Sequence, residues 1–199
     1  MGRHKVVLAT GNAGKLREMR AILSGSEWDI HSQSEYDYPE AIEDGLSFVE
    51  NAIKKARHAC VNTGLAAISD DSGLEVDALQ GAPGIYSARY AGEGASDEDN
   101  IQKLLLALEG LPEDQRAARF RCVMVYMRHP LDPSPVICEG SWEGRIAGQR
   151  RGENGFGYDP VFLISGEDRH SAELTAEQKN RISHRAQALT ELAAKLKLL

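Results

Sequence analysis

The chain has 199 residues, of which 42% are hydrophobic and 27% are charged, a composition typical of one globular domain or one two-lobed domain. Its formal net charge of −7 argues against nonspecific binding to nucleic acid, because such binding needs a broad basic surface. The cysteines Cys60, Cys122 and Cys138 are odd in number and lack C-x-x-C spacing, so neither a disulfide framework nor a zinc site is predicted.

The N-terminal part of the chain predicts a strand, a tight turn and a helix. Lys5 to Ala9 is a short apolar run, and apolar residues recur at helical spacing after the turn Thr10 to Lys15. This apolar run is too short for a signal peptide or a membrane span, so we expect a cytoplasmic protein that binds neither membranes nor nucleic acid.

Two further helices and a buried strand are predicted in the first half of the chain. Ser47 and Glu50 form a capping box in front of a helix that should end near Gly64. Leu65 to Ile68 predicts a buried strand that leads into an acidic turn. The segment Ser96 to Leu108 carries another cap signature and an apolar stripe, which predict a third helix.

The second half of the chain predicts a hairpin, a short strand and two helices. Phe120 to Met127 alternates like a strand, and Val136 to Ile146 is predicted to return beside it as a hairpin. Val161 to Ile164 is one more predicted strand, and Thr175 can cap a short helix. From Ser183 an amphipathic helix follows, whose apolar stripe predicts core or dimer packing. The whole pattern favours an α/β fold with a mixed sheet.

Four carboxylates lie within eight residues after the Leu65 to Ile68 strand, namely Asp70, Asp71, Glu75 and Asp77. Like charges this close repel one another unless cations or solvent screen them. Mg²⁺ prefers one or two carboxylates together with waters and substrate phosphates, and the adjacent pair Asp70 and Asp71 fits that preference. The same stretch also suits a solvated acidic turn without a metal.

The turn Thr10 to Lys15 has the ingredients of a phosphate-binding loop, since glycines permit close approach and a helix start offers N–H donors. A Walker A loop is excluded, because it needs glycine where Ala9 stands and Ser or Thr where Leu16 stands. The segment therefore predicts either a triphosphate cradle of another kind or a purely structural turn.

Two later segments suit the recognition of a base. Gly155 to Pro160 places two aromatic residues between glycines, which is typical of a stacking surface but also of a structural turn with core aromatics. Ser183-His184-Arg185 opens the last helix one turn after Lys179, so it either gathers donor groups for a ligand or lies on an ordinary surface.

Taken in order, five motifs resemble those of the inosine/xanthosine triphosphate pyrophosphatase family, and the resemblance runs nearly from end to end. The motifs are Thr10-Gly11-Asn12-x-x-Lys15, Ser69-Asp70-Asp71-Ser72-Gly73-Leu74, Gly81-Ala82-Pro83-Gly84-Ile85-Tyr86-Ser87-Ala88-Arg89-Tyr90, Gly155-Phe156-Gly157-Tyr158-Asp159-Pro160 and Ser183-His184-Arg185. The resemblance implies a homodimeric, Mg²⁺-dependent enzyme that hydrolyses ITP, dITP and XTP to the monophosphate and pyrophosphate. It also implies a single domain over residues 1–199, with a long twisted mixed sheet flanked by helices and the active site in a cleft between two lobes.

Roles for individual residues follow from the same resemblance. Asp71 would be the general base and a metal ligand, Glu43 the second metal carboxylate with Glu40 as its competitor, and Ser72 would lie beside the substrate. The residues expected to hold the triphosphate are Thr10, Gly11, Asn12, Ala13, Gly14 and Lys15. Those expected to hold the base and the rest of the nucleotide are Phe156, Gly157, Tyr158, Asp159, Lys179, His184 and Arg185.

Two other functions suit parts of the same sequence. A nucleotide-sensing module would keep the phosphate cradle without turnover, but it gains little from the acidic pair Asp70 and Asp71 beside phosphates. A related pyrophosphatase could instead act on pyrimidine or modified nucleotides.

Overall fold

The computed structural model describes residues 4–23 and 28–196, and these form an α/β fold of six strands and five α-helices. In chain order the elements are β1 (His4–Ala9), α1 (Ala13–Ile22), β2 (Trp28–Ser32), α2 (Phe48–Thr63), β3 (Ala66–Val76), α3 (Asp97–Ala107), β4 (Ala117–Met127), β5 (Val136–Ile146), β6 (Phe162–Ile164), α4 (Ala176–Ile182) and α5 (His184–Leu196). Short 3₁₀ helices connect several of them.

The helix starts lie where their capping residues predict. The Ser47 hydroxyl accepts a hydrogen bond from the Glu50 amide at 3.4 Å, and Gly64 ends α2 in the left-handed conformation, which favours glycine. Ser96 begins α3 in a complete capping box, and Thr175 does the same for α4. The Glu50 carboxylate accepts in turn from the Ser47 hydroxyl at 2.7 Å and from the Leu46 amide at 2.9 Å.

The six strands form one mixed sheet in the order β2-β1-β3-β4-β5-β6. β1 pairs in parallel with β2 and with β3, whereas β5 and β6 are antiparallel, so the predicted mixed sheet is confirmed. The strand β2 was not among the predicted elements. At the edge of the sheet its first four residues are partly buried and Ser32 is buried, and the strand pairs with β1.

The acidic turn predicted after Ile68 is wrong. β3 continues for eleven residues, from Ala66 to Val76, so Asp70 and Asp71 lie inside an extended strand and are both buried. Cations screen the four carboxylates from one another, which is one of the two conditions expected for such a cluster. Asp77 and Glu75, for example, both lie near the Arg119 guanidinium. The two Asp77 carboxylate oxygens accept a bidentate pair of hydrogen bonds from that guanidinium.

The contacts divide the chain into two compact units, and β3, β4 and β5 each supply residues to both. The first unit comprises the chain up to Asp71, Cys122–Gly140 and the chain from Arg185 onward. Within it, one face of the strands packs against α1 and α5, and the other face packs against α2. The apolar stripe of α5 is core, with Leu189 and Leu192 fully buried.

The second unit comprises Ser72–Arg121 and Ser141–His184. Its core joins the stripe of α3 to an aromatic group on the strands, in which the Phe120 ring lies 4.5 Å from that of Phe162 and 6.3 Å from that of Trp142. Among residues 4–23 and 28–196, no helix combines the length and the apolar character that crossing a bilayer requires.

Candidate active site

The polar centre of the first unit lies where β1 ends beside β3. Ala9 is in register with Ser69 in the parallel pair, so the loop after Ala9 begins next to Asp70. Ligands of α/β proteins bind at the carboxyl ends of parallel strands, because helices and strand pairing occupy the rest of the sheet.

Side chains of the predicted triphosphate loop hydrogen-bond to backbone amides of the same loop. The Asn12 side-chain oxygen accepts from the amides of Gly14 and Lys15, at 2.9 and 3.0 Å, and so caps α1. The backbone amide of Asn12 donates in turn to the Thr10 hydroxyl at 3.2 Å. A phosphate would therefore have to replace the Asn12 oxygen before it could use the Gly14 and Lys15 amides, a requirement that sequence reasoning did not anticipate.

Asp70 is a completely buried carboxylate held between cations. Its Oδ2 lies 2.9 Å from the Lys15 Nζ on α1 and 3.6 Å from the Arg185 Nε on α5. The Arg185 guanidinium also donates to Glu18. Desolvation by burial favours the neutral acid, but the charges of Lys15, Arg185 and Lys55 outweigh it and hold the pKa of Asp70 well below its usual range.

Asp71 points to the opposite face of β3, as alternation along a strand requires. Its Oδ1 lies 3.3 Å from the Lys55 Nζ on α2, and that same ammonium lies 3.3 Å from the Glu43 Oε1. The other Asp71 oxygen, Oδ2, is buried without a hydrogen-bond partner among the described residues. Burial raises the pKa of Asp71, with help from the negative charges of Glu43 and Asp70 and against the charges of Lys55 and Lys15.

The two neighbouring carboxyls thus have opposite environments. Asp70 is an anion held between the Lys15 and Arg185 cations, whereas Asp71 pairs with Lys55 beside the Glu43 carboxylate and binds protons more readily. Adjacent titratable groups whose pKa values diverge in this way are typical of a site where one group holds charge and the other exchanges protons. The geometry therefore separates Asp71 from Asp70, a distinction for which the sequence offered only the family resemblance.

The two candidates for a second metal carboxylate occupy different places in the first unit. Glu43 shares the Lys55 ammonium with Asp71. Glu40 instead lies against the triphosphate loop, where a β-carbon added to Gly11 would be only 2.2 Å from the Glu40 Oε1. A side chain at Gly11 would therefore displace the end of the flexible, exposed Glu40 side chain.

In the second unit, Asp159 organises the turn that carries the predicted base-binding residues. Its Oδ2 accepts from the Phe156 amide at 2.9 Å and from the Lys179 Nζ at 2.6 Å, while its Oδ1 accepts from the Ser171 hydroxyl at 2.7 Å. The carboxylate is buried by these contacts. Through these three hydrogen bonds Asp159 stabilises the conformation of the turn.

The aromatic residues of this turn differ in what they offer a ligand. Tyr158 is buried, and this burial raises the pKa of its phenol. The Tyr158 hydroxyl donates to the Ser87 carbonyl at 2.8 Å. Phe156 is partly exposed, with the Lys179 ammonium 4.8 Å from its ring centre. A cation at that distance attracts the ring and holds its orientation. Phe156 is thus the better stacking surface, and Lys179 supports it.

His184 lies in the aromatic core of the second unit. Its ring stacks on Phe120, with ring centres 4.9 Å apart and an angle of 15° between the planes, and it also lies nearly parallel to Trp142 at 6.4 Å. The side chain is buried. Such packing leaves the ring edge as the part of His184 that can meet a base.

The structure gathers the predicted residues into two sets. The first unit brings together Lys15, Asp71 and Glu43, and the second unit brings together the Phe156–Asp159 turn and Lys179. Ser72 is the next strand residue after Asp71 and is partly buried. Arg185 is expected at the base, and its buried guanidinium pairs with the Glu18 and Asp70 carboxylates; its place at the base stays a prediction.

Sequence reasoning missed Lys55, which joins Asp71 to Glu43. A signal existed, because Lys55 lies three residues after Ala52 and four before Ala59, and both alanines are completely buried on α2. A lysine on the buried stripe of a helix needs a carboxylate partner. Glu18, which pairs with Arg185, carried no comparable signal.

With this geometry established, comparisons with known proteins identify the family. The model of the Ham1 family matches residues 6–195. The chain belongs to the Ham1 family. It is 60% identical over 193 residues to a dITP/XTP pyrophosphatase of Vibrio vulnificus, covering 97% of this chain and 96% of that protein. It is 62% identical over 192 residues to one of Thioalkalivibrio sulfidiphilus, with 96% and 98% covered.

Solved structures agree with this family assignment. A HAM1 protein from Coxiella burnetii superposes with a TM-score of 0.92 at 49% identity, covering 98% of this chain and all of that one. A nucleoside-triphosphatase, dITP/XTP pyrophosphatase, from Mycobacterium abscessus gives a TM-score of 0.77 at 41% identity, with 96% and 99% covered. The resemblance drawn from the five motifs is therefore confirmed.

Proposed function

We infer that this Ham1 protein is a dITP/XTP pyrophosphatase, a hydrolase that removes non-canonical purine nucleotides from the nucleotide pool. Relatives that share about three fifths of its residues over nearly the whole chain carry this activity in their names. The structural observation that carries the assignment is Asp71, a buried carboxyl with one unsatisfied oxygen beside Lys55 and Glu43. We propose that ITP, dITP and XTP are cleaved to the monophosphate and pyrophosphate.

We propose that Asp71 and Glu43 hold Mg²⁺. The unsatisfied Oδ2 of Asp71 and the nearby Glu43 carboxylate are hard oxygen donors, which suit this ion. The described residues contain no cluster of three or more Asp, Glu, His or Cys side chains that could hold a metal by themselves. Mg²⁺ commonly takes one or two carboxylates and completes its shell with waters and substrate phosphates.

In the proposed reaction Asp71 accepts a proton, and Lys15 and Lys55 compensate negative charge. When bound, Mg²⁺ supplies positive charge against the phosphates and makes water more acidic. Asp71 accepts the proton from the water that attacks the α-phosphorus, a role favoured by its raised pKa. Lys15 and Lys55 offset the charge of the departing pyrophosphate in a chain whose net charge of −7 would otherwise repel it.

The proposed base site uses Phe156 as a stacking surface and His184 as a source of hydrogen bonds. A 6-oxo purine presents an acceptor at O6 and a donor at N1, and adenine presents the reverse pattern. A donor placed at O6 is left unsatisfied when adenine enters, and this can reject the wrong base by roughly 10⁴ to 10⁵. Gly157, Tyr158, Asp159, Lys179 and Arg185 keep their proposed places around the base and the rest of the nucleotide.

We propose that both sets of residues act on the same nucleotide. The chain passes from one unit to the other at the peptide bonds Asp71–Ser72 and His184–Arg185, so covalent neighbours from the site belong to different units. This continuity supports one two-lobed domain over residues 1–199. We also propose that the sheet is strongly twisted and that the protein is a homodimer. A cytoplasmic location, which suits an enzyme of the nucleotide pool, is part of the same proposal.

A nucleotide panel tests the reaction. ITP, dITP, XTP, GTP, ATP and modified pyrimidine triphosphates are incubated with Mg²⁺, and pyrophosphate and orthophosphate are measured separately. We expect pyrophosphate from the 6-oxo purines ITP, dITP and XTP. Orthophosphate release would identify a phosphatase, preference for pyrimidines would identify the related enzyme class, and the absence of turnover would support a nucleotide sensor.

The metal ligands are tested by binding rather than by activity. Mg²⁺ should raise the melting temperature of the protein in the presence of inosine monophosphate, and Glu43→Gln should reduce this stabilisation. Glu40→Gln is the matched control, since Glu40 lies at Gly11 and not beside Lys55. If the two variants exchange their effects, Glu40 is the second ligand.

A further inference from the structure

A carboxylate outside the five sequence motifs meets the turn that carries Phe156. The Asp97 Oδ2 accepts a hydrogen bond from the Gly157 amide at 2.7 Å, across 60 residues of sequence and within the second unit. Asp97 is the first residue of α3 and lies on the surface. A hydrogen bond to an ionised acceptor is stronger than one between neutral groups.

The helix itself does not need Asp97 for its capping. Ser96 accepts from the Asp99 amide at 3.2 Å, and the Asp99 carboxylate accepts from the Ser96 amide at 2.9 Å and from its hydroxyl at 2.6 Å. These reciprocal bonds form a complete capping box. The Asp97 carboxylate is therefore available for a distant partner, and it meets the Gly157 amide.

The bond to Gly157 completes the fixation of one peptide group. The Phe156 carbonyl accepts from the Asp159 amide at 3.3 Å, and the Gly157 amide of the same peptide plane donates to Asp97. Gly157 has a φ of +60°, in the left-handed region that favours glycine. With both ends of the peptide held, the direction in which the Phe156 ring leaves the backbone is restricted.

A second contact joins the same helical turn to the chain before this segment. Glu98 pairs with Arg150, although both side chains are largely exposed, so this pair contributes little on its own. Asp97 is the residue of this helical turn that reaches the Phe156 turn directly.

We propose that Asp97 is a positioning residue for base recognition, which acts by holding the Phe156–Gly157 peptide in the orientation that presents the Phe156 ring to a 6-oxo purine. This rests on the proposed role of Phe156. Because the Asp97 carboxylate is directed at the backbone and not at phosphate, its loss should weaken binding of the base in ground state and transition state alike. That pattern raises KM and leaves kcat nearly unchanged.

The test compares ITP with ribose 5-triphosphate, which carries the phosphates without a base and can be measured as a competitive inhibitor. Asp97→Ala should raise the KM for ITP by about 3- to 10-fold, the range expected for one exposed charge-assisted hydrogen bond. Its kcat should change by less than about twofold, and the inhibition constant of ribose 5-triphosphate should stay at the wild-type value. Asp97→Asn should restore most of the ITP affinity, because the amide oxygen still accepts a hydrogen bond.

Asp99→Ala is the matched control. It removes an acidic residue from the same turn of α3 and weakens the capping box, but leaves the Gly157 contact in place. An equal rise of KM in Asp99→Ala and Asp97→Ala would reduce Asp97 to a helix-stabilising residue and overturn the inference, as would a wild-type KM in Asp97→Ala.

Phe156→Ala separates this inference from the proposed base site. If Phe156→Ala raises the KM for ITP but not the inhibition constant of ribose 5-triphosphate, the base site is correct, and Asp97 is then judged on its own variants. If Phe156→Ala changes neither constant, the base binds elsewhere and the role of Asp97 falls with it.

Discussion

The same chemical change at two consecutive residues should have opposite consequences. Asp71→Asn removes a carboxyl whose Oδ2 has no partner among the described residues, while Lys55 retains Glu43 at 3.3 Å. Asp70→Asn removes the charge that lies 2.9 Å from Lys15 and within reach of Arg185. The first change should affect chemistry, and the second should affect the fold.

The magnitudes follow from what each carboxyl does. A positioned general base contributes about 10²- to 10⁴-fold, so Asp71→Asn should raise the activation barrier by about 3 to 5 kcal/mol. Its stability should change little, because a neutral amide avoids the desolvation that raises the pKa of Asp71. Breaking a buried ion pair from one side typically costs about 3 to 5 kcal/mol, so Asp70→Asn should lose that much stability.

Two measurements on each variant decide between the roles. Pyrophosphate release from ITP gives kcat, and thermal unfolding without Mg²⁺ gives the melting temperature. At about 2 to 4 °C per kcal/mol for a chain of this size, Asp70→Asn should melt roughly 6 to 20 °C below wild type. The assignment of Asp71 is refuted if Asp71→Asn keeps more than about a tenth of the wild-type kcat. The assignment of Asp70 is refuted if its variant melts like wild type.

Three further predictions concern the phosphates, the base and pH. Lys15→Ala should lower kcat/KM for ITP by more than about tenfold, because we propose that this ammonium offsets the charge of the leaving pyrophosphate; equal kinetics would make its loop a structural turn. In steady-state assays, His184→Ala should bring kcat/KM for ITP closer to kcat/KM for ATP, because it removes a hydrogen bond that distinguishes the two bases. Phe156→Ala should lower kcat/KM for ITP and for ATP with less change in their ratio, because every base can stack on an aromatic ring. A hydrogen bond to Glu35 raises the pKa of His31 above its unfolded value of 6.5, so the stabilisation it provides is complete below that pH and is lost as pH rises through the folded-state pKa. In denaturant titrations His31→Gln should therefore destabilise the protein at about pH 5.5 more than at about pH 8.5, and a larger effect at the higher pH would contradict this.

The sequence by itself determined the elements whose signals are local. Ser96 and Thr175 begin helices because a side-chain oxygen can satisfy amide groups two or three residues away, whatever the rest of the fold does. Val136–Ile146 and the strand faces around Phe120–Met127 were predictable because alternation of apolar side chains follows from strand geometry. The family also followed from the sequence, because five motifs in one order carry more information than any single motif.

The tertiary structure decided what long-range contacts control. The predicted acidic turn is a strand because Asp70 and Asp71 find cations from α1, α2 and α5, and a buried carboxylate is tolerated only with such partners. Neither Lys15 nor Arg185 is near Asp70 in the chain, so no local pattern could show that the strand continues.

The different environments of the two carboxyls were also set by the fold. Consecutive residues of a strand face opposite sides of the sheet, so Asp70 meets the cations Lys15 from α1 and Arg185 from α5, while Asp71 meets Lys55 from α2 beside a second carboxylate, Glu43. The sequence places the two acids side by side and makes them chemically identical. Only packing of the helices on the two faces of β3 makes one a fixed anion and the other a group able to exchange protons.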